Sequence, residues 1–285
     1  MIDDVLAALA CPHCESGLSR VGGVLGCANG HRFDIARQGY VSLLGPRSRT
    51  DTGDTAEMVL ARADFLAAGH YAPIAAAVVE VLPPDLAGLV VEIGAGVGYY
   101  LAAVLDTLPA AAGLALDSSV RAARRAAVAH SRIGAIVADA WSRLPIRPGA
   151  ANAVLSIFAP RDPIEIHRIL APGGVLVTVT PTANHLGELI GRLGMLSVAP
   201  SKEARLATTL GGHFTISSSS TRRMALRLTA TDLSNVVLMG PAAHHVDRTE
   251  LAATIAGLAV PIDAFGEVTV AAWTSVRLTP SAKSR

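Results

Sequence analysis

Three cysteines and a histidine stand at Cys11-x2-Cys14-x12-Cys27-x3-His31, and the chain has no other cysteine. Two short chelating pairs joined by a glycine-containing loop have zinc-ligand spacing. Three thiolates and one imidazole complete a tetrahedral shell that leaves no position for water, so the metal expected here, Zn2+, is structural. His13, inside the first pair, is the alternative imidazole. Pro12 and Gly17 are expected to shape the first turn, residues 21–25 a strand, and Asn29-Gly30 the second turn. Arg20, Arg32 and Arg37 outnumber Glu15 and Asp34, and Arg47 and Arg49 follow, so this segment is locally basic. A piece this small has too little core to fold alone, and metal coordination would supply much of its folding free energy.

A second set of chemically capable residues is spread along the chain. EIGAGVG, residues 92–98, places Glu92, Gly94, Gly96, Val97 and Gly98 at the end of an apolar run. Closely spaced glycines allow a tight turn and a close approach of backbone to ligand, although the third comes one residue earlier than in G-x-G-x-x-G. Asp117 closes the next apolar run, where a carboxylate can accept hydrogen bonds from ribose hydroxyls. Asp139-Ala140-Trp141 closes the one after and suits the edge and face of an adenine, with a helix cap as the other reading of Asp139. The fourth run ends in Phe158-Ala159-Pro160-Arg161-Asp162. Phe158 could stack on a base and Asp162 could take a proton, with core packing and a helix cap as equally good readings.

These positions need a frame. Apolar runs at LVVEIGA, AGLALD, AIVADA, AVLSIFA and GVLVTVTP alternate with helix-length segments, the rhythm of a doubly wound α/β sheet. Ligands in such sheets bind beyond the carboxyl ends of the strands, where these residues fall. RMALRL and VTVAAWTSVRL read as two closing antiparallel strands, and SSSST at 217–221 as a loop. Residues 56–82 read as two helices joined at AAGHYAP, with Tyr71 a packed aromatic at the junction, and residues 45–55 as a linker. The expected division is a zinc-binding module at 1–44, a linker and helical segment at 45–85, and the sheet domain at 86–285.

The composition is 51% hydrophobic and 16% charged, which places the chain among globular proteins and away from disordered classes. A net charge of +1 carries no whole-chain signature of nucleic-acid binding, so only a local basic face could serve one. No apolar stretch approaches the ~20 residues of a membrane span, and no signal segment opens the sequence, so a cytoplasmic protein is expected.

Residues 92–98, Asp117, Asp139 and the LAPGG turn at 170–174 together resemble class I (Rossmann-like) S-adenosylmethionine-dependent methyltransferases. With CPHC, CANGH, FDIARQGYVSLL, DTAEMVLARADFLAAGHY, FAPR and TPTANHL, the chain resembles over nearly its whole length the RlmA-type 23S rRNA (guanine-N1-)-methyltransferases. FAPRDPIEI and VLMGPAAHH place it nearest the Gram-positive and macrolide (tylosin) resistance branch. The resemblance implies zinc at Cys11, Cys14, Cys27 and His31, and S-adenosylmethionine contacts from Tyr71, Gly96, Val97 and His185. It further implies a guanine target in hairpin 35 of domain II of 23S rRNA, RNA recognition by the zinc module, a homodimer, and a link to macrolide resistance. The end of the fourth run lacks an Asn-Pro-Pro-aromatic motif and any cysteine, which disfavours exocyclic amino methylation and cytosine C5 chemistry. A small-molecule methyltransferase braced by zinc and a non-catalytic RNA-binding protein are the competing readings. His244 and His245 read as solvated loop residues.

Overall fold

The computed structural model describes residues 1–46, 48, 53–199 and 201–276; Arg47, Arg49 and much of the expected linker lie outside them. The chain opens with α1 (Ile2–Val5), followed by a small antiparallel sheet of β1 (Leu18–Val21), β2 (Val24–Cys27) and β3 (Arg32–Asp34). Then come β4 (Tyr40–Ser42), α2 (Ala56–Ala67), α3 (Ala72–Glu80), β5 (Gly88–Ile93), α4 (Tyr99–Thr107), β6 (Ala111–Asp117), α5 (Val120–Ala126), β7 (Ile133–Val137), β8 (Ala151–Ile157), α6 (Pro163–Ile169) and β9 (Leu170–Pro181). The chain continues through α7 (Gly187–Leu193), α8 (Lys202–Leu210), β10 (Phe214–Leu228), α9 (Ala230–Leu238), α10 (Arg248–Ala256) and β11 (Ile262–Ser275).

The large sheet has the order β10-β11-β9-β8-β5-β6-β7-β4, parallel from β9 to β4 and antiparallel where β11 meets β9 and β10. Alternation along the strands divides the core in two. Leu89, Val91 and Ile93 face one layer with Leu114, Leu116 and Ile136; Val90, Ala115 and Leu155 face the other. The second layer is closed by α2, α3, α4, α7 and α9, whose Phe65, Ile74, Leu101, Leu189 and Val236 lie in it. In the first, Ile166 and Ile169 of α6 are joined by Ile2, Leu18, Leu25 and Phe33 from the N-terminal segment. The cysteine-bearing segment therefore packs against the methyl-rich face of the large sheet, and β4, which follows it directly, pairs with β7 as the sheet's edge.

Two local expectations are corrected. Residues 21–25 are not one strand: β1 and β2 form a hairpin whose turn is Gly22-Gly23, with Val21 opposite Val24 and Gly22 at φ 63. A two-residue turn needing positive φ is a natural place for paired glycines. SSSST is not a loop either: it lies within β10, with Ser218–Thr221 paired to residues 269–272 of β11. Serine has a weak preference for strands, and the long β11 partner overrides it.

Strand succession reverses between β5 and β8, since β5, β6 and β7 run outward one way and β8 and β9 the other. The connections that leave the carboxyl ends of β5 and β8 therefore run in opposite directions and open a crevice, the place where open sheets of this kind hold ligands.

Candidate functional site

At the N-terminal segment two knuckle turns bring the four donors together. Glu15 N–H donates to the Cys11 carbonyl (2.8 Å), Cys11 N–H to Ser16 (2.8 Å), and Gly30 N–H to the Cys27 carbonyl (3.0 Å). The ligand atoms of Cys11, Cys14, Cys27 and His31 all lie within 4.8 Å of one another. The His31 Nδ1 stands 3.5 Å from Cys11 Sγ and 3.3 Å from Cys27 Sγ, and Cys14 Sγ stands 3.6 Å from Cys27 Sγ. A tetrahedron with Zn–S bonds of about 2.3 Å has edges of about 3.8 Å, so the donor set fits a zinc ion. His13 is not in this set; its ring packs on those of His31 and Phe33, with centroids 4.8 and 5.8 Å away. The Ser16 hydroxyl draws the Cys14 thiol down to about 5, while burial pushes Cys11 up to about 11. Hydrogen bonds donated to the sulfur of Cys27 and then of Cys14 raise the His31 pKa. Metal binding must displace the protons that remain.

Beyond the carboxyl ends of the parallel strands lies a cavity of about 710 Å³. Seven of the nine residues expected at the cofactor line it: Tyr71, Glu92, Gly94, Gly96, Asp117, Asp139 and His185. Val97 and Gly98 do not. Val97 packs against the core, and a Cβ at Gly98 would meet Ala126 and Ala129 at 3.1–3.3 Å, so the third glycine serves helix packing. Gly94 has φ +67, and a Cβ there would fall 2.7 Å from the Cβ of Ala159, so the β5 and β8 ends meet at a point without room for a side chain.

Asp117 is held by the backbone: Gly96 N–H donates to Oδ2 and Ser119 N–H to Oδ1, each at 2.8 Å. Burial raises its pKa. Asp139 caps the following turn rather than a helix, accepting from Trp141 N–H (2.9 Å) and the Ser142 hydroxyl (2.9 Å). Trp141 lines the cleft and is 61% exposed. Tyr71 and His185, separated by 114 residues in sequence, meet with Oη 3.0 Å from Nε2. The His185 Nδ1 lies against the Glu267 backbone, 3.1 Å from its N and 3.0 Å from its O. Burial lowers the His185 pKa and raises that of Tyr71, so the pair is neutral near pH 7.

Phe158 projects into the same cavity at φ 53, a strained conformation for a residue with a side chain and one that concentrates at ligand sites. Asp162 does not reach it: its Oδ1 accepts from Ile164 and Glu165 N–H (2.9 and 3.3 Å) as the cap of α6. The structure adds residues with no sequence signal. Arg62 of α2 spans the cleft, pairing with Asp54 and donating to the Met239 carbonyl (2.6 Å), and Lys202 lines the opposite rim. His244, exposed as expected, stands on a 3-10 turn at Pro241–His244 whose residues edge the cavity.

Glu92 is 1% exposed and accepts from Leu101 N–H (3.1 Å), tying β5 to α4. Burial pushes its pKa up to about 8 from 4.5, so folding takes up a proton between those values and stability falls as pH rises across that window. Glu92→Gln, which keeps the acceptor, should remove that slope. Thermal melts should show the variant matching the parent below pH 4.5 and exceeding it by roughly 3–8 °C at pH 9. An unchanged slope in the variant would refute the assignment.

Comparison with known proteins follows the same two parts. A zinc-ribbon family model described as RlmA, N-terminal, matches residues 9–48. The chain is 47% identical over 262 residues to the 23S rRNA (guanine(748)-N(1))-methyltransferase of Streptomyces fradiae, covering 90% of this chain and 93% of that one. It is 46% identical over 291 residues to a candidate 23S rRNA (guanine-N(1)-)-methyltransferase of Micromonospora griseorubida, covering 95% and 98%. Among solved structures, a chain of the Haloferax volcanii complex between the Trm112 methyltransferase activator and a methyltransferase shares the fold, with a TM-score of 0.52 at 17% identity over 77% of this chain and 95% of that one.

Proposed function

We infer the activity from one premise: the chain belongs to the family of 23S rRNA (guanine-N(1)-)-methyltransferases. It transfers a methyl group from S-adenosylmethionine to N1 of a guanine in 23S rRNA. The target proposed is a guanine in hairpin 35 of domain II, and the S. fradiae relative, whose name gives guanine 748, supports an N1 target in 23S rRNA. The observation that carries this reading is a cleft at the strand-order reversal, with acids and glycines at the β5–β7 ends and an aromatic, a histidine and a lysine on the β8–β9 side. One side suits a nucleoside donor and the other a flipped base.

When bound, S-adenosylmethionine supplies a methyl group already activated on a sulfonium sulfur. The protein's task is then mainly to position the reactants and exclude water. Asp117, oriented by two amide donors, keeps lone pairs for ribose hydroxyls. Gly94 and Gly96 let the β5 turn approach the donor closely, and Asp139 and Trp141 bound the adenine position. Tyr71 and His185 form one neutral wall beside the reacting centre, and Phe158 offers a face for the base. Neither competing reading, a small-molecule methyltransferase or a non-catalytic RNA binder, has a feature of its own in the cleft to favour it.

Residues 1–44 serve as the RNA-recognition module, with zinc on Cys11, Cys14, Cys27 and His31; residues 45–85 bring Arg62 and Tyr71 to the cleft, and 86–285 carry out transfer. The proposal includes a homodimer, a cytoplasmic location beside the rRNA and a contribution to macrolide resistance. Among the described residues no helix is long and apolar enough to cross a membrane. Of the basic residues on the module, Arg32 and Arg37 are exposed, while Arg20 is engaged by Asp3 (2.5 Å) and the Gly22 carbonyl (3.0 Å). Arg32→Ala and Arg37→Ala should each weaken RNA binding and lower the salt slope by about 1, with cofactor affinity unchanged. Arg20→Ala should do less. Filter binding across salt concentrations checks this, and equal loss of cofactor affinity would contradict it. Incubation with radiolabelled donor and 23S rRNA tests the activity itself: label in RNA supports it, and its absence from RNA with cofactor bound refutes it.

A further inference from the structure

One side of the cleft is cationic and carries no acid among the described residues. Arg161, half-buried behind Ala159 and Pro160, donates from Nε to the Ser156 hydroxyl and from Nη2 to the Ala159 carbonyl, both at 3.0 Å. No carboxylate among the described residues pairs with it. Lys202, the first residue of α8, lines the cleft with Phe158, Ala159 and His185, and its ammonium likewise has no partner among them. Burial lowers the pKa of both cations, to about 10 for Arg161, and the charge of Arg161 lowers Lys202 further. The acids of the cavity stand elsewhere, Glu92, Asp117 and Asp139 at the β5–β7 ends and Asp54 against Arg62. Lys202 is exposed at the rim with Arg161 behind the wall, and two like charges on one side of a cleft, away from its acids, favour negative charge arriving beside them.

Guanine methylation at N1 brings such charge. N1 carries a proton, and when it leaves, the electron pair is delocalised onto O6. Adenine presents an amino donor where guanine presents O6, so a cation at that point also selects the base. We propose that Lys202, with Arg161 behind it, is the subsite for O6 of the target guanine and stabilises the N1-deprotonated base. Phe158, with its ring 6.0 Å from that of Tyr71 and 5.9 Å from that of His185, flanks this position. The N1–H bond breaks with its proton passing to water at the cleft mouth. The freed pair forms the N1–carbon bond, and the carbon–sulfur bond breaks with its electrons returning to sulfur, which loses its positive charge. Lys202 thereby supplies specificity for guanine as well as rate.

This inference rests on the methyltransferase reading, and its test separates the two. Facing Lys202 are Arg161 from the β8–α6 loop and His185 from the β9–α7 loop, with Tyr71, Glu92 and Arg62 across the cleft. Full-length Lys202→Met and Lys202→Arg proteins are assayed on 23S rRNA from pH 6 to 10, with Kd measured for S-adenosylmethionine and for RNA. Lys202→Met should lower kcat at pH 7 by roughly 100-fold. The deficit should shrink as rising pH ionises the guanine unaided, both Kd values should hold, and Lys202→Arg should retain most of the rate. A deficit constant across pH, or one accompanied by loss of cofactor affinity, overturns the subsite. Failure of the parent protein to form N1-methylguanine would instead overturn the functional reading beneath it.

Discussion

Stripping zinc from the Cys11, Cys14, Cys27 and His31 group should abolish methylation of 23S rRNA while S-adenosylmethionine binding persists. The separation follows from placement: no residue from 11 to 34 lines the cavity, so the donor site does not depend on the metal directly. The segment proposed to recognise RNA does. Its three short strands present Leu18, Leu25 and Phe33 to the core, and a bound metal would lock together the two knuckles that flank the β1–β2 hairpin. Structural zinc in small modules supplies apparent binding free energies of about 10–16 kcal/mol, far more than three short strands supply by themselves. Chelation, or Cys14→Ser, should therefore lower RNA affinity by roughly 100-fold or more. Cofactor Kd should change by less than about 3-fold, since ligand binding responds only to what touches or reshapes the site. Metal analysis by mass spectrometry, paired with calorimetry and filter binding, measures all three quantities. Undiminished RNA binding by metal-free protein would refute the assigned role of the module.

Gly94→Ala should cost the protein its cofactor affinity. An alanine at φ +67 bears a backbone penalty of roughly 1–2 kcal/mol. Its Cβ would also fall 2.7 Å from that of Ala159, and both atoms are fixed to backbone, so relief requires the β5 and β8 ends to part. Overpacking of that kind adds about 1–3 kcal/mol. The displacement falls where the cleft is built, so the affinity for S-adenosylmethionine should drop by at least about 10-fold. The Tm should fall by roughly 4–10 °C. Gly173→Ala provides the control: it has φ +80 but nothing within 4 Å of the added carbon. It should share the strain and leave cofactor affinity intact. Equal effects of the two substitutions on binding would show that the close approach at Gly94 has no functional consequence.

How much of this was legible in sequence depended on whether the signal was local. The metal donors were, because two-residue and three-residue spacings bring ligands to one point before any tertiary contact forms. The parallel strands were as well, since strands buried on both faces read as unbroken apolar runs. Gly94, Gly96 and Asp117 followed from position after those runs. Val97 and Gly98 look like part of the same loop but turn away from the cavity: Val97 packs on the core, and Gly98 lies against Ala126 and Ala129 at the end of α5, whose approach is not visible locally. Arg62 and Lys202 were hidden for the same reason. Each sits in a helix far from the glycine motif, and only the crossing of α2 and α8 over the strand ends delivers it. Tyr71 read locally as a packed aromatic, and its meeting with His185 was implied only by resemblance. SSSST was misread because the preference of serine for loops is a local property, whereas its place in β10 is set by the register with β11.

The central claim is that this cleft methylates N1 of one guanine in 23S rRNA. Purified protein, S-adenosylmethionine and 23S rRNA lacking the modification are incubated, and the RNA is mapped nucleotide by nucleotide by mass spectrometry and primer extension. A single new N1-methylguanine in the domain II hairpin, formed roughly 100-fold more slowly by Lys202→Met protein at pH 7, is the predicted result. Methylation of another base or another atom, or no RNA product from protein that binds the cofactor and zinc, would contradict the account.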